Sequence, residues 1–204
     1  MTTTAIIPIK ALGSAKGRLA ATLTPPQRRE LVTWMAHRVI AACRDCAAID
    51  DILVVAGDQA AAAIGQDAGV RTMVVDVPGL GVALAAAEDC TTDAAATIVV
   101  AADLAALTSA DLDAVFAAVP DDGSVVAVAP TEDGGTGALL RRPPQVIASA
   151  YGPGSGRAHR QLAEQAGVAC VVVQRRGLAF DLDQPDQLAA LALGDDADVP
   201  CPRH

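Results

Sequence analysis

Short apolar and β-branched runs recur along the chain. Each is followed by a longer stretch whose apolar positions fall three or four apart. Ala5-Ile-Ile-Pro-Ile9, Ile52 to Ala56, Arg71 to Val75, Ile98 to Ala101, Val125 to Ala129, Ala138 to Leu140 and Val168 to Val173 read as strands. Runs without charge, such as Ile98 to Ala101, suit strands buried on both faces of a parallel sheet. Thr24-Pro25 opens a helix reaching about Cys46, with Thr as cap and Pro at the first position. Leu31, Trp34, Met35, Val39 and Ile40 follow helical spacing there, so Trp34 is expected in the core. Further helices are predicted up to about Ala68, from Val82 to about Asp89, from near Thr108, from the 152–155 loop through Ala166, and from Gln184-Pro-Asp onward. Pro143-Pro144 is expected to punctuate a short helix. Ala179-Phe-Asp-Leu-Asp183 alternates, which turns Asp181 and Asp183 to one side.

Strands alternating with helices predict an α/β fold: a Rossmann-like, mostly parallel sheet with helices on both faces. With 204 residues, no internal repeat and no linker, residues 1–194 are expected to form a single domain, and the acidic 195–204 stretch a disordered tail. Apolar residues make up 52% and aromatics only 2%, so the core must be built from Ala, Val, Leu and Ile. A net charge of −9 without a basic block argues against nucleic acid as partner. No run approaches membrane-spanning length and no signal-peptide pattern opens the chain, so a cytoplasmic protein away from membranes is expected. The odd number of cysteines, five, fits a reducing compartment. Cys43-Arg-Asp-Cys46 has C-x-x-C spacing but lies within a predicted helix, which favours helix-face thiols over zinc or redox work. The Ala-rich helix surface permits a homodimer without requiring one.

The candidate chemistry lies at strand ends. Asp103 follows the buried run at 98–101, where open α/β sheets bind ligands. There it is either a ligand for a hard cation such as magnesium or a turn and capping residue. The loop Lys10-Ala-Leu-Gly-Ser-Ala-Lys-Gly-Arg-Leu19 carries Lys10, Gly13, Lys16 and Arg18 with no acid. It is suited to nucleotide phosphates or is an ordinary basic turn. Pro78-Gly-Leu-Gly81 puts Gly79 and Gly81 at a helix start, open to an anion, to a base edge or simply to a tight turn. Thr131-Glu-Asp-Gly-Gly-Thr-Gly137 and Tyr151-Gly-Pro-Gly-Ser-Gly-Arg-Ala-His159 supply Thr136, Gly152 and Ser155 for a second anion, Arg157 as a cation and His159 as a possible proton donor. The alternative for the latter loop is a Ser-capped helix bearing surface Arg and His. Convergence of Asp103, Asp181 and Asp183 on one or two Mg2+ ions, with phosphates held by loop 10–18, would suit nucleotidyl transfer. A phosphate nucleophile is already anionic, which fits the lack of an obvious His or Cys catalytic pair.

The ordered set Ile-Pro-Ile-Lys…Ala-Lys-Gly-Arg-Leu, Gly-Leu-Gly-Val-Ala-Leu, Ala-Asp-Leu-Ala-Ala-Leu, Gly-Gly-Thr-Gly-Ala-Leu-Leu, Gly-Pro-Gly-Ser…His and Asp-Leu-Asp-Gln-Pro-Asp-Gln-Leu resembles one family from about residue 6 to residue 188. It is the guanylyltransferases that activate 2-phospho-L-lactate or phosphoenolpyruvate in biosynthesis of the deazaflavin coenzyme F-420. The resemblance implies a nucleotidyltransferase fold of the nucleotide-diphospho-sugar transferase (GT-A-like) type, akin to the molybdopterin guanylyltransferases. It implies a magnesium-dependent reaction of GTP with a small phosphorylated carboxylic acid that releases pyrophosphate. By position, Asp103, Asp181 and Asp183 match the family's metal-binding acids. Lys16 and Arg18 match its nucleotide-phosphate loop, and Thr136 with Gly152 to Ser155 match the loops that hold the acceptor's phosphate. Gly81 stands where the family usually has Asn, Gly137 where it often has Asn or Thr, and Ala105 where it usually has Pro.

Overall fold

A computed structural model describes residues 2–14, 16–77 and 79–192. The expected tail at 195–204 lies outside the described residues. Seven strands form one sheet: β1 (Thr3–Ile9), β2 (Asp51–Ala56), β3 (Arg71–Val74), β4 (Ala96–Val100), β5 (Val125–Pro130), β6 (Thr136–Arg142) and β7 (Ala169–Val172). The helices are α1 (Pro25–Asp45), α2 (Gln59–Asp67), α3 (Leu80–Asp89), α4 (Ser109–Ala117), α5 (Ser155–Gln165), α6 (Arg176–Ala179) and α7 (Pro185–Ala192). The strand order is β3-β2-β1-β4-β6-β5-β7. All neighbours are parallel except the pairs made by β6, which runs antiparallel to both β4 and β5.

Period-two alternation sorts the strand side chains onto two faces. Ala5, Ile7 and Ile9 of β1 join Leu31, Met35 and Val39 of α1 and Leu112 of α4 in the larger core. Ile6, between them, turns to the other face with Leu53, Val99 and the α3 residues Leu84 and Ala87. Val126, Val128 and Leu139 pack on Ala163 of α5 on that same side of the hairpin half. Helices therefore cover both faces. No described helix is long and apolar enough to cross a membrane.

Local chemistry sets the helix starts. Thr24 caps α1 with Pro25 at its first position, and Gln27 Oε1 accepts from the Thr24 N–H at 2.9 Å. Asp111 closes the equivalent box at α4, accepting from the Thr108 N–H at 3.1 Å. Three expectations need correction. Residues 143–154 form turns rather than a short helix. Two successive prolines cannot donate backbone hydrogen bonds, and the Ile147 carbonyl is taken by Arg141 Nη1 at 3.2 Å. The alternating stretch is not a strand: Ala179 ends the short α6, and residues 180–183 follow as irregular chain. Leu182 is nevertheless fully buried between two partly exposed acids. Trp34 is only partly buried at the rim of the core, with the Arg38 guanidinium 5.1 Å from its ring centroid.

Candidate active site

The C-terminal ends of β1, β2 and β4 open onto one edge of the sheet, and the antiparallel β6 begins at that same edge. The Ala101 N–H donates to Gly137 O at 2.9 Å, so the end of β4 is zipped to the start of β6. Asp103 follows the one and Thr136 opens the other. A cleft of about 210 Å³ runs between them, lined among others by Lys10, Lys16, Asp103, Thr136, Tyr151 and Asp183. A second cleft of about 400 Å³ lies beside it, lined by Lys10, Gly57, Asp76, Gly79 and Leu80. Pro8, Ile9, Lys10 and Leu80 border both.

The basic loop is pinned from below. The Asp58 carboxylate caps α2 through the Ala61 N–H at 2.7 Å and accepts from the Leu12 N–H at 3.0 Å with its other oxygen. Gly57 permits this approach, because a Cβ there would stand 2.7 Å from Ala11 N. Lys16 adopts a left-handed backbone at φ 53°, uncommon for a residue with a side chain. From it, the ammonium reaches inward to Asp103 Oδ2 at 2.7 Å and Asp183 Oδ1 at 2.6 Å. Its side chain is only 7% exposed. Burial pulls the Lys16 pKa down, but Asp103 and Asp183 outweigh that and hold it above its ordinary value. Arg18 is exposed, with its guanidinium 3.4 Å from Asp183 Oδ2.

Asp181 completes the acidic group. Burial, then the charges of Asp133, Asp103 and Asp183, push its carboxyl up to about 6. Asp133 went unnoticed in the sequence. It accepts from Thr131 Oγ1 at 2.6 Å and the Gly135 N–H at 2.9 Å, and these bonds hold it below the usual carboxylate range. Its signal was local: an Asp two residues before glycine, the pattern of a side chain closing its own turn. Among the described residues, no three acids, histidines or cysteines are placed together so that they could hold a metal ion. Lys16 itself stands between Asp103 and Asp183.

On the far side of the smaller cleft, Thr136 Oγ1 and Ser155 Oγ are buried 2.9 Å apart. The α5 N-terminus is largely self-satisfied: Ser155 N–H donates to Gly152 O, Gly156 N–H to Gly134 O, and Arg157 N–H to Gly154 O. An anion at this end would find these three amides already engaged. A Cβ at Gly156 would stand 2.7 Å from Gly135 O, which shows how tightly the two glycine loops are zipped. His159 was a candidate proton donor, yet it is fully buried and its Nε2 accepts from the Ala150 N–H at 2.9 Å. Tyr151, overlooked in the sequence, lines the cleft and packs edge-on against His159 with centroids 5.0 Å apart.

The structure thus brings Lys10, Lys16, Asp103, Thr136 and Asp183 to one cleft, and Lys10 and Gly79 to the other. Gly13 is exposed, and a Cβ added there would meet nothing within 4 Å. Gly13, Arg18, Gly81, Gly152, Ser155 and Asp181 line neither of these two clefts. Gly137 has a packing reason: a Cβ there would lie 2.0 Å from the Leu178 carbonyl oxygen of α6. Cys43 and Cys46 are buried, with burial pushing their thiols up to about 12 and about 11, so neither is a reactive thiolate.

Comparison with known proteins places this geometry. The chain is 35% identical over 195 residues to a phosphoenolpyruvate guanylyltransferase of Sphaerobacter thermophilus, covering 94% of this chain and 93% of the relative. It is 30% identical to a 3-phospho-D-glycerate guanylyltransferase of Colwellia psychrerythraea (95% and 92% covered) and 32% identical to a 2-phospho-L-lactate guanylyltransferase of Haloarcula marismortui (89% and 81% covered). The fold is shared with a nucleotidyl transferase from Methanothermobacter, at TM-score 0.66 and 17% identity over 93% of this chain and 95% of that one. The family model described as "Guanylyl transferase CofC like" matches residues 3–198, and the chain belongs to that family.

Proposed function

We propose that the protein transfers GMP from GTP to the phosphate of a small phosphorylated carboxylic acid, phosphoenolpyruvate or 2-phospho-L-lactate, releasing pyrophosphate in coenzyme F-420 biosynthesis. The observation that carries the reading is the Lys16 ammonium held by Asp103 and Asp183 beside the border of two clefts. One cleft offers room for a nucleoside beside Gly79 and Lys10. The other is lined by Lys10, Lys16 and Thr136, whose hydroxyl lies 2.9 Å from that of the buried Ser155 behind it.

Lys16 and Arg18 supply positive charge to the triphosphate and to departing pyrophosphate. Thr136 and Ser155, set by the loop around Gly152, orient the acceptor's phosphate. That phosphate is an anion near neutral pH and attacks without a general base. Asp103, Asp181 and Asp183 would hold a hard divalent cation, magnesium: their oxygens are all carboxylate, and Asp181, raised first by its burial and then by the neighbouring acids, would gain from a nearby cation. When bound, the cation lowers the negative charge met by the attacking phosphate. The free thiols of Cys43 and Cys46 suit a reducing cytosolic setting.

The test is pyrophosphate release by the purified protein with magnesium, crossing GTP, CTP, ATP and UTP against phosphoenolpyruvate, 2-phospholactate and 3-phosphoglycerate. GTP with one of these acids is expected to react. Asp103→Asn should abolish that reaction while leaving the circular dichroism spectrum unchanged. Turnover retained in Asp103→Asn would overturn the assignment of the acids, and reaction with another nucleotide would overturn GTP.

A further inference from the structure

His159 Nδ1 lies 3.1 Å from Thr136 Oγ1, which lies 2.9 Å from Ser155 Oγ, and all three side chains are buried. The other ring nitrogen, Nε2, lies 2.9 Å from the Ala150 amide nitrogen. A backbone N–H can only donate, so Nε2 accepts and carries no proton. In a neutral imidazole the proton then sits on Nδ1 and is donated to Thr136 Oγ1. Burial, reinforced by the Arg141 charge, pushes the ring's pKa down to about 4, which keeps it neutral at physiological pH.

The hydroxyl protons can now be counted. Thr136 and Ser155 own one each, and oxygens this close must place one proton between them. If Nδ1 accepted, the Thr136 proton would go to the ring and the Ser155 proton to Thr136. Neither hydroxyl could then donate to an anion. With Nδ1–H donating, one O–H of the pair is left over. We infer that His159, held in its Nδ1–H form by the Ala150 amide, is a positioning residue that leaves one hydroxyl proton of the Thr136–Ser155 pair to donate to the acceptor's phosphate. The inference rests on the reading that these hydroxyls hold that phosphate.

Two substitutions separate the ring's contacts. His159→Asn can place an amide N–H near the position of Nδ1 and restore the donor to Thr136. His159→Gln can reach the Ala150 N–H but lacks that donor. With phosphoenolpyruvate, or whichever acid the wild-type enzyme uses, His159→Gln should raise the acceptor KM by roughly tenfold to a hundredfold, the range for a hydrogen bond to a charged group. The KM for GTP should stay put, and His159→Asn should restore the acceptor KM. An unchanged acceptor KM in His159→Gln, or an equal rise in both variants, overturns the inference while wild-type turnover stands. No pyrophosphate from the wild type with any acceptor brings down the reading and the inference together. A measurement on the unaltered protein guards against variants that fail to fold: 15N NMR of the imidazole at pH 7 should show Nδ1 protonated and Nε2 bare. The opposite tautomer overturns the inference.

Discussion

Lys16 Nζ stands 2.7 Å from Asp103 Oδ2, across 87 residues of sequence. The ammonium answers the same negative charge that a divalent cation would. Lys16→Met should therefore lower pyrophosphate release by roughly a hundredfold or more, as loss of one preorganised donor does elsewhere. Added magnesium should raise the thermal midpoint of Lys16→Met more than that of the wild type. Scanning calorimetry at constant ionic strength checks this, and equal shifts would mean that lysine and metal act at separate places.

Gly137 should tolerate no side chain. A Cβ would meet the Leu178 carbonyl oxygen at 2.0 Å, and backbone on backbone has little room to yield. Gly137→Ala is expected to cost about 2 kcal/mol, within the range for overpacking. Urea unfolding measures it, and nucleotide preference should be unchanged. The glycine then reflects how α6 packs on β6 rather than which base is read.

The buried Arg141 guanidinium pairs with Glu88 of α3 at 2.8 Å, and Arg141 has no exposed surface. Arg141→Met should destabilise by about 3 kcal/mol, because it leaves a carboxylate largely shielded from water without its partner. Replacing both residues, as in Arg141→Met with Glu88→Leu, should recover much of that loss. A double-mutant cycle reads the coupling, and strict additivity would show the pair to be independent.

Acid should loosen the His159 network. The folded ring, at about 4, lies below its ordinary 6.5, so the unfolded chain binds more protons between those values. The histidine's contribution is complete above about pH 6.5 and is lost as pH falls toward 4, up to about 3 kcal/mol. Asp181, raised to about 6, works in the opposite sense, gaining stability as pH falls. The difference between wild type and His159→Asn in urea unfolding at pH 7.5 and pH 4.5 isolates the ring: it should shrink at the lower pH.

The sheet was legible because its strands are apolar runs of little charge, and Thr24 and Thr108 mark helix starts by chemistry that acts within a few residues. Asp103 could be placed for the same reason, at the end of such a run. What could not be read depends on contacts distant in sequence. Four-residue α6 is too short for helical periodicity to show. Asp133 joins the acidic group only because the Glu132 N–H meets Ala179 O across the fold. The burial of His159 needs the turns at 143–154, where paired prolines and the Arg141 contact decide the path. Antiparallel β6 also leaves no mark in its own sequence, since an apolar run reads alike in either direction.

That reversed strand separates two groups of candidate site residues. Thr136 opens β6, and the hairpin loop before it is bonded to the start of α5, so the candidate grip on the acceptor hangs on this half of the sheet. The larger cleft belongs to β1, β2 and the start of α3. If the proposed sites hold, changes in the hairpin half would alter which acid is held while leaving the larger cleft as it is. Relatives named for phosphoenolpyruvate, 3-phospho-D-glycerate and 2-phospho-L-lactate are the diversification such a division would allow.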